Sequence, residues 1–147
     1  MAISTETQDN KALVSRFFEA LDDHDLDAFD ELFADDYTTG IYRSGETDAV
    51  DGVAGMKDLW TEYWEAFPDL HGVDLELIAE DDRVAFFRTE EGTHEGAFRG
   101  IAPTGNEITF EYGGYLTIED GELVQGLVRG NMLDLLRQLD VETPLSD

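Results

Sequence analysis

The chain has 147 residues, 41% hydrophobic and 11% aromatic, which is enough for one globular domain with a real core and too apolar for a disordered segment. Its 35 Asp and Glu against 9 Lys and Arg give a formal net charge of −26, which repels phosphate backbones and anionic membranes and argues against a nucleic-acid partner. The absence of cysteine excludes disulfides, thiolate metal ligands and cysteine nucleophiles.

The acids are spread from Glu6 to Asp147 instead of forming a tail, and Lys11 and Lys57 are the only lysines. That pattern is expected of proteins from salt-loving organisms, where counterions screen self-repulsion. No apolar run reaches the length of a membrane span, and Met1–Glu6 lacks the basic and apolar regions of a signal peptide. A cytoplasmic protein with no membrane partner is therefore expected. A single domain over 1–147 is predicted, with a short flexible N-terminus at 1–8 and a tail at 140–147.

In chain order, Leu13, Phe17 and Leu21 recur four apart with Val14 and Phe18 beside them, a wide helical stripe that Asp9 or Asn10 can cap. Asp25 can cap a short second helix whose Leu26, Phe29, Leu32 and Phe33 face inward. The segment from Tyr37 to Tyr42 reads as a strand, followed by an acidic, Gly-containing loop. A third helix is predicted over Val53–Phe67, with Met56, Leu59, Trp60, Tyr63 and Phe67 on one side and Pro68 forbidding continuation.

After Pro68 the period changes to two. Val73, Leu75 and Leu77 alternate with acids, Glu80-Asp81-Asp82 makes a turn, and a long strand runs from Arg83 to Gly96 with Val84, Phe86 and Phe87. The segment from Gly92 to Gly105 carries four glycines and His94, and Ala102-Pro103-Thr104-Gly105 suits a type I turn. Ile108, Phe110 and Tyr112 alternate on the next strand, where Gly113-Gly114 suggests a bulge or a sharp coil. Asp120-Gly121 is a two-residue hairpin signal, and Glu122–Met132 forms a last strand before a helix at Leu133–Leu139. Helices followed by an antiparallel meander predict an α+β fold, and a coiled sheet around the third helix would enclose an apolar, ligand-binding cavity.

The chain resembles the SnoaL-like polyketide cyclase (ester cyclase) family of the nuclear transport factor 2-like superfamily. The resemblance rests on Val14–Leu21 with Leu32–Tyr37, on Ala66–His71, and above all on Gly92-Thr93-His94-Glu95-Gly96 with Gly100–Gly105; Asp120–Val124 and Leu135–Leu139 complete it. It implies a cone-shaped barrel of a curved antiparallel sheet wrapped on three N-terminal helices, a homodimer, and neither metal nor cofactor. It also implies intramolecular aldol-type ring closure of a small apolar carbonyl compound by a pocket carboxylate.

The family's last strand commonly reads Glu-x-Trp-x-x-x-Asp, the Asp being the acid/base; the corresponding positions here are Gln125, Leu127 and Asn131. An amide accepts no proton at a useful pH, so Asn131 is expected to hold a carbonyl or enolate oxygen, and His94 becomes the candidate base. On an unbroken strand Gln125, Leu127, Arg129 and Asn131 share one face, which makes them, with His71, Trp60, Tyr63 and Phe17, the expected ligand contacts. Tyr42, Tyr63, Tyr112 and Tyr115 are further hydrogen-bond donors. His24, among Asp22, Asp23 and Asp25, is expected at a solvated helix junction. No His-x-x-x-His spacing, phosphate loop or serine elbow is present. Loss of the family's acid/base leaves two expectations, a cofactor-free enzyme and a non-catalytic ligand-binding or dimerisation module.

Overall fold

The computed structural model describes residues 5–43 and 46–142, and the side chains of all of these except 40–51. The elements are α1 (Thr5–Asp22), α2 (Phe29–Leu32), β1 (Phe33–Arg43), β2 (Glu46–Asp51), α3 (Gly52–Ala66), β3 (His71–Glu80), β4 (Arg83–Thr93), β5 (Glu107–Glu119), β6 (Glu122–Gly130) and α4 (Met132–Gln138). The six strands form one cone-shaped sheet in the order β2-β1-β6-β5-β4-β3. Residues of α1, α2, α3, α4 and the sheet's inner face share one core.

The predicted meander is present, with β3, β4, β5 and β6 paired antiparallel in turn. The sheet is nevertheless mixed, because β1 lies parallel to β6. The acidic segment read as a loop contains β2, antiparallel to β1. Helix α1 begins at Thr5, upstream of both predicted caps and inside the expected flexible N-terminus; the flanks 1–4 and 143–147 lie outside the described residues. Asn10 is buried instead, its amide reaching Asp81 O at 3.4 Å.

The helical stripes pack as their spacing requires. Leu13, Val14, Phe17, Phe18 and Leu21 are buried, as are Met56, Trp60 and Tyr63. Asp25 accepts the Ala28 N–H at 3.3 Å in the turn ahead of the one-turn α2, but the residue at the N-cap of α2 is Ala28, which makes no side-chain cap, so the expected cap by Asp25 is not formed. His24 is more than a solvated junction residue: its ring stacks on Trp64 at 4.4 Å, and its Nε2–H donates to Leu70 O at 3.0 Å.

Two local irregularities decide which side chains face inward. A register shift between Gly72 and Asp74 turns Val73 out of line with Leu75 and Leu77, leaving it 48% exposed. A second shift, opposite Thr117 and Ile118, falls between Leu123 and Gln125. Leu123 is buried, but beyond this bulge the inward positions become Gly126, Val128 and Gly130, because one extra residue flips every side chain that follows. Gly126 must lack a side chain: an added Cβ would sit 2.6 Å from Tyr37 Oη. No bulge occurs at Gly113-Gly114, where the ladder to β6 is unbroken.

The glycine-rich connection from β4 to β5 reverses at Phe98-Arg99-Gly100-Ile101 and not at Pro103. Phe98 and Ile101 exchange backbone hydrogen bonds of 3.0 and 2.9 Å, and Arg99 and Gly100 have φ of 49° and 81°, a primed-type turn. Asp120-Gly121, with φ of 51° and 77°, turns β5 into β6 as expected. The N–H groups of Glu95 and Gly96 both donate to Ala66 O, at 3.0 and 3.1 Å, closing the C-terminus of α3.

A candidate active-site cavity

Between α1, α3 and the inner face of the sheet lies a cavity of about 70 Å³. Phe17 and Phe18 of α1, Met56, Leu59, Trp60 and Tyr63 of α3, and Phe86, Phe110, Tyr112 and Leu116 of the sheet line it. Tyr37, Thr39, Val128, Gly130 and Met132 complete the wall. The lining is aromatic and aliphatic, with tilted ring pairs such as Trp60 on Tyr63 at 5.5 Å and Trp60 on Tyr112 at 6.2 Å. An apolar cavity with a few polar groups is the usual form of a small-molecule site.

Four of those polar groups matter chemically. The Thr39 hydroxyl donates to Tyr37 Oη, which leaves the phenol proton of Tyr37 for another acceptor. Burial pushes the Tyr37 phenol up to about 12, against the opposing hydrogen bond from Thr39. Trp60 Nε1–H is buried with no partner among the described residues. Tyr112 donates its hydroxyl proton to Glu90 Oε2.

Glu90 belongs to a buried charged cluster behind the cavity wall. Arg88 Nε donates to Glu90 Oε2 at 3.0 Å, and Arg88 Nη2 pairs with Asp22 Oδ1 of α1. Arg88 and Glu90 are 3% and 2% exposed. Burial raises the Glu90 carboxyl above its ordinary value, outweighing the hydrogen bond from Tyr112 and the charge of Arg88. Burial likewise pushes the Tyr112 phenol up, so it is a neutral donor.

The expected site residues divide. Phe17, Trp60, Tyr63 and the additional donor Tyr112 line the cavity. Gln125, Leu127 and Arg129 do not, because the bulge before Gln125 turns their face of β6 outward. Tyr115 is also outside, under the Arg83 guanidinium at 4.9 Å, and the side chain of Tyr42 lies outside the described residues.

His71 is exposed at the start of β3, where its Nδ1–H donates to Asp69 O at 2.8 Å, so it closes a turn and is not in the wall of this cavity. His94 is fully buried but is not in the cavity wall. Its Nδ1 accepts the Thr104 N–H at 3.1 Å and lies 3.0 Å from the Thr104 hydroxyl, which puts the proton on Nε2. Its ring packs on Phe67 at 5.4 Å, so the imidazole pins the glycine-rich connection, and its buried Nε2–H has no hydrogen-bond partner among the described residues.

Asn131 stands beyond the end of β6, exposed, as the N-cap of α4, with Oδ1 accepting the Asp134 N–H at 3.3 Å. Its role is structural in this geometry. Asn131→Ala is expected to cost about 1 kcal/mol of stability and to leave cavity binding unchanged, which thermal melts and a binding titration check together.

Sequence reasoning missed Tyr37, Arg88 and Glu90. A signal for the last two was available: both share the parity of Val84 and Phe86 on β4, so polar side chains were already assigned to an inward face. Among the described residues no group of three or more His, Asp or Glu side chains is placed to hold a metal ion.

A profile of the SnoaL-like polyketide cyclases matches residues 12–139. A solved protein from Jannaschia sp. CCS1, assigned as a SnoaL-like polyketide cyclase, is 20% identical with a TM-score of 0.85, covering 97% of this chain and 99% of that one. AclR from Streptomyces galilaeus, assigned as a hydroxylase, is 28% identical with a TM-score of 0.81, covering 96% and 91%. IdmH from Streptomyces antibioticus, assigned as a polyketide cyclase, is 23% identical with a TM-score of 0.75, covering 90% and 99%. No curated protein matches the chain.

Proposed function

The chain belongs to the SnoaL-like polyketide cyclase family, and from that premise we propose that its central cavity binds a compact, largely apolar carbonyl compound and performs cofactor-free acid–base chemistry on it. The observation that carries this reading is the indole N–H of Trp60, which has no partner among the described residues, in the wall of a largely apolar cavity. A buried donor without a partner costs on the order of 1–3 kcal/mol, and a ligand carbonyl oxygen relieves that cost. The free phenol proton of Tyr37 is a second donor for the same oxygen. Met56 and Met132 give the wall deformable side chains, so the ligand can exceed the cavity of the empty protein.

The test is a titration with cyclohexanone, a ketone one heavy atom larger than benzene; benzene itself enters apolar cavities of about 150 Å³. Binding is followed by tryptophan fluorescence. Leu116→Phe, which fills the cavity from β5, is expected to weaken binding at least tenfold while the far-ultraviolet spectrum is kept. Equal binding by this variant would move the site elsewhere.

We further propose a homodimer through the outer face of the sheet. Ile78 and Phe87, on adjacent strands of that face, are 63% and 46% exposed, and such patches commonly mark association surfaces. Sedimentation in high salt at micromolar concentration is expected to give dimers, and Phe87→Lys to give monomers. Wild-type monomers under those conditions would refute the dimer.

A further inference from the structure

We propose that Tyr112 is the proton-transfer group of this cavity, carrying a proton between the carbon next to a bound carbonyl and the buried carboxylate of Glu90. The inference rests on the cavity reading above and assigns its chemistry. Tyr112 occupies two environments at once: its ring is part of the cavity wall, and its hydroxyl donates to Glu90 Oε2. Glu90 does not touch the cavity and acts only through that phenol, which makes it a positioning residue and proton store. Arg88 donates to the same carboxylate oxygen at 3.0 Å, fixing its orientation, and is itself held by Asp22.

The step balances without any co-reactant. The carbonyl oxygen lies on Trp60 Nε1–H, whose ring centroid is 6.2 Å from that of Tyr112. An α-carbon proton passes to Tyr112 Oη as the phenol's own proton passes to Glu90, leaving an enolate, a neutral phenol and a carboxylic acid. The enolate carbon attacks a second carbonyl of the same molecule, forming a carbon–carbon bond and an alkoxide. Glu90 then returns its proton through Tyr112 to that alkoxide. The phenol is neutral before and after each transfer, as its burial demands. A carboxylate lifted above its ordinary value is a better matched base for this work than an exposed one.

The groups facing Glu90 are Arg88 on its own strand, Tyr112 from β5 and Asp22 from α1. Because exchange needs Glu90 ionised, its rate is expected to fall as pH drops through a midpoint above the ordinary carboxylate value of 4.5. The measurement is deuterium incorporation from heavy water into the α positions of cyclohexanone, followed by NMR, with binding measured in parallel. The wild type is expected to exceed the buffer rate.

Tyr112→Phe leaves the Arg88–Glu90 pair intact, keeps the fold, and is expected to lose exchange by on the order of 10²–10⁴ together with the acid limb of the pH profile. Glu90→Gln should lose the same limb. If cyclohexanone binds and exchange survives Tyr112→Phe, the relay is overturned while the cavity reading stands; if it binds and exchange is no faster than buffer, the relay and the acid–base chemistry are overturned and only ligand binding stands. If cyclohexanone does not bind the wild type, both are overturned.

Discussion

Replacing Glu90 with alanine is expected to destabilise the fold by about 3–5 kcal/mol, the cost of removing one partner from a buried ion pair. The size follows from what is left behind. Arg88 is 3% exposed, and Glu90 is its partner on β4, so truncation strands a guanidinium in the core with Asp22 as its remaining carboxylate partner among the described residues. Tyr112 loses its acceptor in the same stroke. A domain of this size has on the order of 5–15 kcal/mol in hand, so the variant should show a much lower denaturation midpoint. The double variant Arg88→Met/Glu90→Leu removes both charges together and should recover most of the loss. Equal losses for the single and double variants would mean that packing, not the unpaired charge, sets the cost.

Melting temperature is expected to climb steeply with potassium chloride, well past physiological strength. At −26, repulsion among carboxylates opposes the compact state, and salt shortens the Debye length from ~30 Å at 0.01 M to ~3 Å at 1 M. Only 9 Lys and Arg face 35 acids, and among them Lys57 is already on Asp30 at 3.0 Å and Arg99 on Glu62 at 3.1 Å, so they neutralise little of the excess. Relief of several kcal/mol spread over the surface corresponds to a rise of roughly 10 °C or more. A scanning calorimetry series from 0.1 to 3 M salt reads this directly, and a flat response would contradict it.

The architecture was largely legible because its carriers are periodic. Phe17 with Leu21, Trp60 with Tyr63, and Ile108 with Phe110 announce their faces by spacing alone, and Asp120-Gly121 announces its turn. The parallel pairing of β1 with β6 was not legible, since no local pattern records which distant strand becomes a neighbour. The site was legible on the helices and lost on β6. The family's last-strand pattern, read as an unbroken strand, put Gln125, Leu127 and Arg129 on the face of the expected site, and the extra residue before Gln125 turned all three away from the cavity. Arg88 and Glu90 escaped notice for the opposite reason: in a chain with 35 acids, one more carboxylate on a strand reads as surface until a partner buries it.

Acid–base chemistry by this protein requires the ligand to sit in the aromatic cavity. Intermolecular NMR contacts between cyclohexanone and the protein's methyl groups test that most directly. Contacts to the Met56 and Met132 methyls, lost in Leu116→Phe, are the predicted result. Contacts confined to Ile78 and other side chains of the outer sheet face, with none to either methionine, would contradict it.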